Sequence, residues 1–159
     1  MTTPRNRSRL AASLVLLALV GAMFIVPSAH ATALGDRRAT TNEITRRILS
    51  LVNRSRADHG LVELRINEDL CKEALRHSRS MAKTGSITHT SNLADLVRSV
   101  GGTVFGEDLG KGRGLEGIRN AWIRRADTRQ ILLDPRFQHV GLGVVHVGGF
   151  FWVTLQVFD

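Results

Sequence analysis

Two side chains in this chain could do chemistry together: the imidazole of His89, followed by Thr90-Ser91, and the carboxylate of Glu107, inside Gly106-Glu107-Asp108. A neutral imidazole nitrogen coordinates a divalent ion without first losing a proton near pH 7. A carboxylate beside it would orient the ring and fix its tautomer, the arrangement of an acid–base pair. Catalysis needs more than that, namely a nucleophile or activated water and donors for developing charge. No Gly-x-Ser-x-Gly elbow is present, and Ser91 and Thr128 are common residue types whose nearness to a histidine decides nothing. The run Gly110-Lys111-Gly112-Arg113-Gly114 lacks the Gly-Lys-Ser/Thr ending of a phosphate loop and reads as a flexible connector.

Several elements must position these groups. Thr40 and Glu43 have capping-box spacing ahead of an apolar stripe at Ile44, Ile48, Leu51 and Val52, and Gly60 is placed to end that helix. Asn67 caps a second helix through Leu70, Ala74, Ser78 and Met81, closed by Gly85. A shorter third helix runs through Leu93, Leu96 and Val97. Val104-Phe105 leads into Gly106-Glu107-Asp108 as a short strand or extended segment, and a fourth helix carries Leu115, Ile118, Ala121 and Trp122. Arg129 is expected to hold that helix against the following loop through Asp134.

The C-terminal segment is the most explicit. Val147-Gly148-Gly149-Phe150 reads as a two-residue hairpin turn. In that register Val140, Leu142, Val144, Val153, Leu155 and Val157 share one face. The other collects His139, Gly141, Gly143, Val145, Trp152, Thr154 and Gln156. The two glycines admit a close neighbour, either a helix packed tightly on the sheet or a ligand over a cleft floor. Helices before and among antiparallel strands, with apolar residues on both sheet faces, predict an α+β fold: a three-layer α-β-α sandwich around a central antiparallel sheet.

The order His89-Thr90-Ser91, Gly106-Glu107-Asp108, Trp122, Thr128-Arg129 and Asp134-Pro135-Arg136-Phe137-Gln138-His139-Val140-Gly141-Leu142-Gly143-Val144 resembles the CAP superfamily in its compact bacterial form. These are the cysteine-rich secretory, antigen 5 and pathogenesis-related-1 proteins. The resemblance covers residues 42–159, from Ile48-Leu49-Ser50-Leu51-Val52-Asn53 to Gln156-Val157-Phe158, and implies the same sandwich. It also implies an open groove on which two histidines and a glutamate converge, where many members hold a divalent metal. Here the second-histidine position is Thr128, whose neutral hydroxyl is a poor donor to such an ion. A catalytic zinc site takes about three protein ligands. The candidate cleft is therefore His89, Glu107, Asp108, Thr128 and His139, with no confident metal set and at most weak divalent-cation binding. Two rescues stay open: His139 entering from the glycine-bearing face, or Asp108, where the family often has Asn, adding a carboxylate. Glu107 has a plainer reading as a carboxylate at a turn, accepting backbone N–H bonds and pairing with Arg129 or His89.

Arg5, Arg7 and Arg9 precede the apolar run Leu10 to Val26, Pro27 and the small residues of Ala29-His30-Ala31, so residues 1–31 read as a secretory signal peptide. Ala31-Thr32-Ala33 is a second cut, and an uncleaved anchor is the alternative. Residues 32–41 form an N-terminal lead-in. The chain carries 22 basic and 14 acidic side chains; without the three leader arginines the balance is 19 to 14, or +5. That favours loose attraction to anionic envelope polymers or head groups, with Arg124 and Arg125 marking an arginine-rich side. Nucleic acid is not an expected partner. Cys71 is the only cysteine, so the domain has no internal disulfide, and its thiol is expected to be buried and inert rather than an intermolecular bridge.

The expectation is a secreted, non-enzymatic binding module in the extracellular or cell-wall space, monomeric, with lipid, peptidoglycan or protein as the ligand classes relatives suggest. The alternatives are a metal-assisted or acid–base hydrolase of peptides or envelope polymers, and a scaffold acting through its arginine-rich surface.

Overall fold

The computed structural model describes residues 29–159, with side chains from Asn42 onward. The expected signal peptide lies outside the described residues for all but its last three positions. Among the described residues the elements in chain order are α1 (Ala29–Ala57), β1 (Arg65–Ile66), α2 (Glu68–Thr84), α3 (Leu93–Ser99) and β2 (Phe105–Gly112). They continue with α4 (Leu115–Arg124), α5 (Ala126–Leu132), β3 (His139–Val147) and β4 (Phe150–Phe158). The backbone of α1 runs through Thr40, so the capping-box pair does not begin that helix.

The sheet order is β1-β3-β4-β2, with β3, β4 and β2 antiparallel and the two-residue β1 added in parallel to β3. Val147 opposes Phe150 and Val140 opposes Val157, the register that the Gly148-Gly149 turn dictates. Both turn glycines have positive φ, 60° and 75°, which a side chain would disfavour.

One face of the sheet forms the main core. Val140, Leu142, Val144, Val153, Leu155 and Val157 are buried there against Ile48 and Val52 of α1, Leu115, Ile118 and Trp122 of α4, and Leu132 of α5. The opposite face takes α2. A Cβ on Gly141 would meet Leu70 at 2.5 Å, and one on Gly143 would meet the Ala74 backbone at 2.1 Å. A helix, rather than a ligand, thus occupies the space over these glycines. Ser78 of α2 donates to the Gly143 carbonyl at 2.9 Å and shares a 2.8 Å bond with Thr154, locking helix to sheet through buried polar groups. α3 completes this layer, with Leu93 and Val97 packed beside Leu70 and Phe158. The result is the α+β sandwich: helices, sheet, helices.

Asn67 caps α2 by accepting from the Leu70 N–H, and Gly85 closes it in the left-handed conformation. The expected Gly110–Gly114 loop is in its first three residues strand, with Gly110 opposite Val153 and Gly112 opposite Phe151. The physical reason is proximity. A Cβ on Gly110 would lie 2.4 Å from Ile118, and one on Gly112 would lie 2.9 Å from it, so these glycines let α4 press against β2.

The loops are held by Arg56 instead of Arg129. Arg56 is fully buried, and its guanidinium donates to the carbonyls of Val62, Leu132, Asp134 and Phe137 at 2.9, 2.8, 3.1 and 2.9 Å. Burial draws its pKa down and the nearby Asp134 opposes that shift. The Asp134 carboxylate is taken by Arg136 at 2.6 Å, while Arg129 reaches His59 at 3.3 Å. Cys71 is half-buried, its sulfur accepts from the Leu142 N–H at 3.2 Å, and burial raises its pKa. An inert structural thiol fits these surroundings.

Candidate functional site

β2 is an edge strand, and strand alternation sends its two adjacent carboxylates to opposite faces. Glu107 opposes Gln156, on the α2 side, whereas Asp108 opposes Leu155, on the main-core side. The loop after α2 brings His89 and Thr90 over the Glu107 side.

Four hydrogen bonds converge on Glu107. Oε1 accepts from His89 Nδ1 at 2.8 Å and from the Thr90 backbone N–H at 2.9 Å; Oε2 accepts from the Thr90 hydroxyl at 2.6 Å and Gln156 Nε2 at 2.9 Å. Gln156 Nε2 also reaches the Thr90 hydroxyl oxygen at 3.0 Å. Burial pushes the Glu107 pKa up. The bonds from the Thr90 hydroxyl, Gln156, the Thr90 N–H and His89 outweigh it, and the net shift is downward. The carboxylate is therefore held ionised. His89 is the exposed partner: its side chain keeps 74 % of its accessible surface, against 3 % for Glu107. Because Glu107 accepts, Nδ1 carries the proton and Nε2 is left as the free nitrogen.

Asp108 is the reverse case. It is fully buried, and neither carboxylate oxygen has a hydrogen-bond partner. Burial raises its pKa to about 8, and the charges of Asp127 and Glu107 add to the effect. These surroundings favour its protonated form, and strand alternation turns it away from the face that holds His89 and Glu107.

Thr128 is half-buried in α5, and its hydroxyl donates to the Trp122 carbonyl at 2.8 Å. It thereby links α4 to α5. His139 stacks on Phe158 with ring centroids 4.9 Å apart, and its Nδ1 lies 3.3 Å from the Asp159 carbonyl. Its partners are at the C-terminus of the chain rather than at His89 or Glu107. The structure thus joins His89 and Glu107 by a hydrogen bond, whereas the Thr128 hydroxyl and the His139 ring bond to other partners and the Asp108 carboxyl to none.

Among the described residues, no three of His, Cys, Asp and Glu come together in a group that could hold a metal ion. The donors at this site fall short of the three-ligand set that zinc catalysis uses. Sequence reasoning missed Thr90 and Gln156 as the groups that fix Glu107. The hairpin register had already placed Gln156 on the correct face; what was lacking was the pairing of β2 with β4.

A family model for CAP, the cysteine-rich secretory protein family, matches residues 49–157, which hold the His89–Glu107 pair, Thr128 and both strands of the hairpin. The chain belongs to the CAP family. The Bacillus subtilis (strain 168) protein YkwD is 31 % identical over 110 residues, covering 65 % of this chain and 43 % of the relative. The chain therefore matches less than half the length of that protein. Two solved CAP-like folds superpose on it. An outer surface protein from Borrelia burgdorferi gives a TM-score of 0.68 at 18 % identity, covering 75 % of this chain and 94 % of that one. An extracellular protein containing a SCP domain from Bacillus anthracis str. Ames gives 0.65 at 24 % identity, covering 75 % and 41 %. These likenesses establish the CAP fold for the chain.

Proposed function

We propose that this CAP domain is a non-enzymatic binding module, acting in the extracellular or cell-wall space, whose metal pocket is degenerate. The observation that carries the reading is the commitment of the donors: Glu107 receives four internal hydrogen bonds, and the Thr128 hydroxyl is spent on a backbone carbonyl. An ionised carboxylate with a depressed pKa is a weak general base near neutral pH, because efficient bases are poised close to the working pH. His89, with most of its ring in solvent, is then the accessible member of the pair. Location outside the cytoplasm is supported by the arginine-led apolar run at the N-terminus and by fold neighbours described as extracellular or outer-surface proteins. Lipids, peptidoglycan fragments and partner proteins are the ligand classes to screen.

Elemental analysis of the purified protein tests the reading. Substoichiometric zinc, and no melting shift on zinc addition, is the expected result. One equivalent of zinc that disappears in His89→Ala would overturn it.

One observation favours a second reading. Glu107 orients His89 with Nε2 directed away from the carboxylate, as in a hydrolase whose imidazole is an acid–base group. Under that reading, cleavage of peptide or envelope-polymer substrates would be lost in His89→Ala and retained in Thr128→Ala.

A further inference from the structure

The hairpin end of the sheet carries an arrangement that the His89–Glu107 pair does not use. Lys111 lies over the Trp152 ring at 4.2 Å and the Phe150 ring at 5.2 Å, and Arg113 lies over Phe150 at 4.9 Å. Val147, opposite Phe150 and on the same face, is 50 % exposed. The Gly148-Gly149 turn between them is open: a Cβ at either position would meet nothing within 4 Å. Leu70 contacts Gly141 and Ala74 contacts Gly143, so α2 runs alongside β3 in the same direction and aims its last turn, with Lys83, toward this end.

Charge sets this end apart. Residues 75–90, 109–115 and 139–158 contain no Asp or Glu. Of the acids flanking Lys111 and Arg113 in sequence, Asp108 is buried on the opposite face of β2 and Glu116, at the start of α4, is occupied by Arg47 at 2.7 Å. The arginine-rich side expected from the sequence is different, because Arg125 is neutralised by Asp127 at 2.7 Å and Arg136 by Asp134 at 2.6 Å. Uncompensated positive charge around an open turn with an exposed Val147 and a half-buried Phe150 is the pattern of an interfacial anchor: cations meet head groups while Val147, backed by Phe150, meets the acyl boundary. A soluble polyanion would answer the charge and leave those apolar residues in water.

We propose that the β3–β4 hairpin tip, through Val147, Phe150, Lys111 and Arg113, docks this domain peripherally onto a lipid surface rich in anionic head groups. The site is separate from the His89–Glu107 pair and does not depend on what that pair binds. Lys111 and Arg113 are pre-positioned by the aromatic faces beneath them, which lowers the entropy lost on docking.

Vesicle co-sedimentation of residues 29–159 tests this. That segment contains every residue of the described core, and it omits the apolar run that would supply membrane affinity of its own. Partitioning onto phosphatidylcholine vesicles with about one third phosphatidylglycerol should exceed that onto pure phosphatidylcholine by at least about tenfold at low salt, and should weaken as salt rises. Each basic side chain near such a surface contributes about fivefold in partition coefficient, so Lys111→Gln with Arg113→Gln should lose roughly 25-fold. Val147→Ser with Phe150→Ser should also weaken binding, at unchanged charge and unchanged circular dichroism. Arg124→Glu with Arg125→Glu should leave it intact. Equal binding to both vesicle types would overturn the proposal. So would a serine variant that binds like the parent while soluble polyphosphate displaces the protein, which would make the tip a polyanion site instead.

Discussion

Glu107 and Asp108 are neighbours in one strand, yet they live in opposite electrostatic worlds. Glu107 is surrounded by donors and its pKa falls; Asp108 is buried among core residues with no donor, and its pKa climbs to about 8. One residue of strand alternation is enough to separate an organised anion from an acid that holds its proton. Burial alone does not set the charge state of a carboxylate. What decides it is whether polar partners replace the water removed.

The largest effect should come from breaking the organised side. Glu107→Ala strands the Thr90 N–H and hydroxyl donors and leaves Gln156 Nε2 only its bond to the Thr90 oxygen, and should cost roughly 2–4 kcal/mol in urea unfolding. A loss below about 0.5 kcal/mol would mean that the network is not a structural unit. Asp108→Asn should do the opposite, raising stability at pH 8 by roughly 1–3 kcal/mol because no proton must be retained in the core. A destabilised Asn variant at pH 8 would refute the unpartnered-acid description.

The two carboxylates also predict opposite pH limbs. Asp108, raised in the fold from 3.8 to about 8, contributes stability that is complete below pH 3.8 and is lost as pH climbs toward 8. Glu107, lowered from 4.5, contributes stability present above pH 4.5 and lost as the solution is acidified through its folded value. Melting temperatures should therefore fall from pH 5 to pH 8 in the parent and flatten over that interval in Asp108→Asn. Smaller still, Gln156→Leu should cost about 1–2 kcal/mol, since it removes one charged-acceptor bond and one neutral contact. His89→Ala should change stability by no more than about 0.5 kcal/mol, its ring being mostly in solvent. A large loss there would relocate the anchor of the network from Thr90 and Gln156 to the imidazole.

The legible and illegible parts of this chain divide along physical lines. The hairpin could be read because a Gly-Gly turn sets register and period-two alternation then assigns every side chain to a face. Asn67 and Gly85 were visible because capping needs those residue types locally. β2 was read too short, since Gly110 and Gly112 look like a loop until α4 is seen pressing on them. α5 was missed altogether; it is seven residues long, and Arg125 before it offers no side-chain cap. Nothing in the sequence singles out Arg56, because three of the four carbonyls that receive it lie 76 to 81 residues away. For the site, the His89–Glu107 pair and the exchange at Thr128 were legible from family order. The partners that hold Glu107 ionised were not, because they depend on Glu107 facing Gln156 across strands distant in sequence.

Returning an imidazole to position 128 tests the account most directly. Calorimetric zinc titration of the parent and of Thr128→His should show little binding in the parent and clear binding in the variant, where a second imidazole would bring the donors to the three that a zinc site uses. Tight, equal binding by both proteins would contradict the proposal that the threonine at position 128 leaves the metal pocket incomplete.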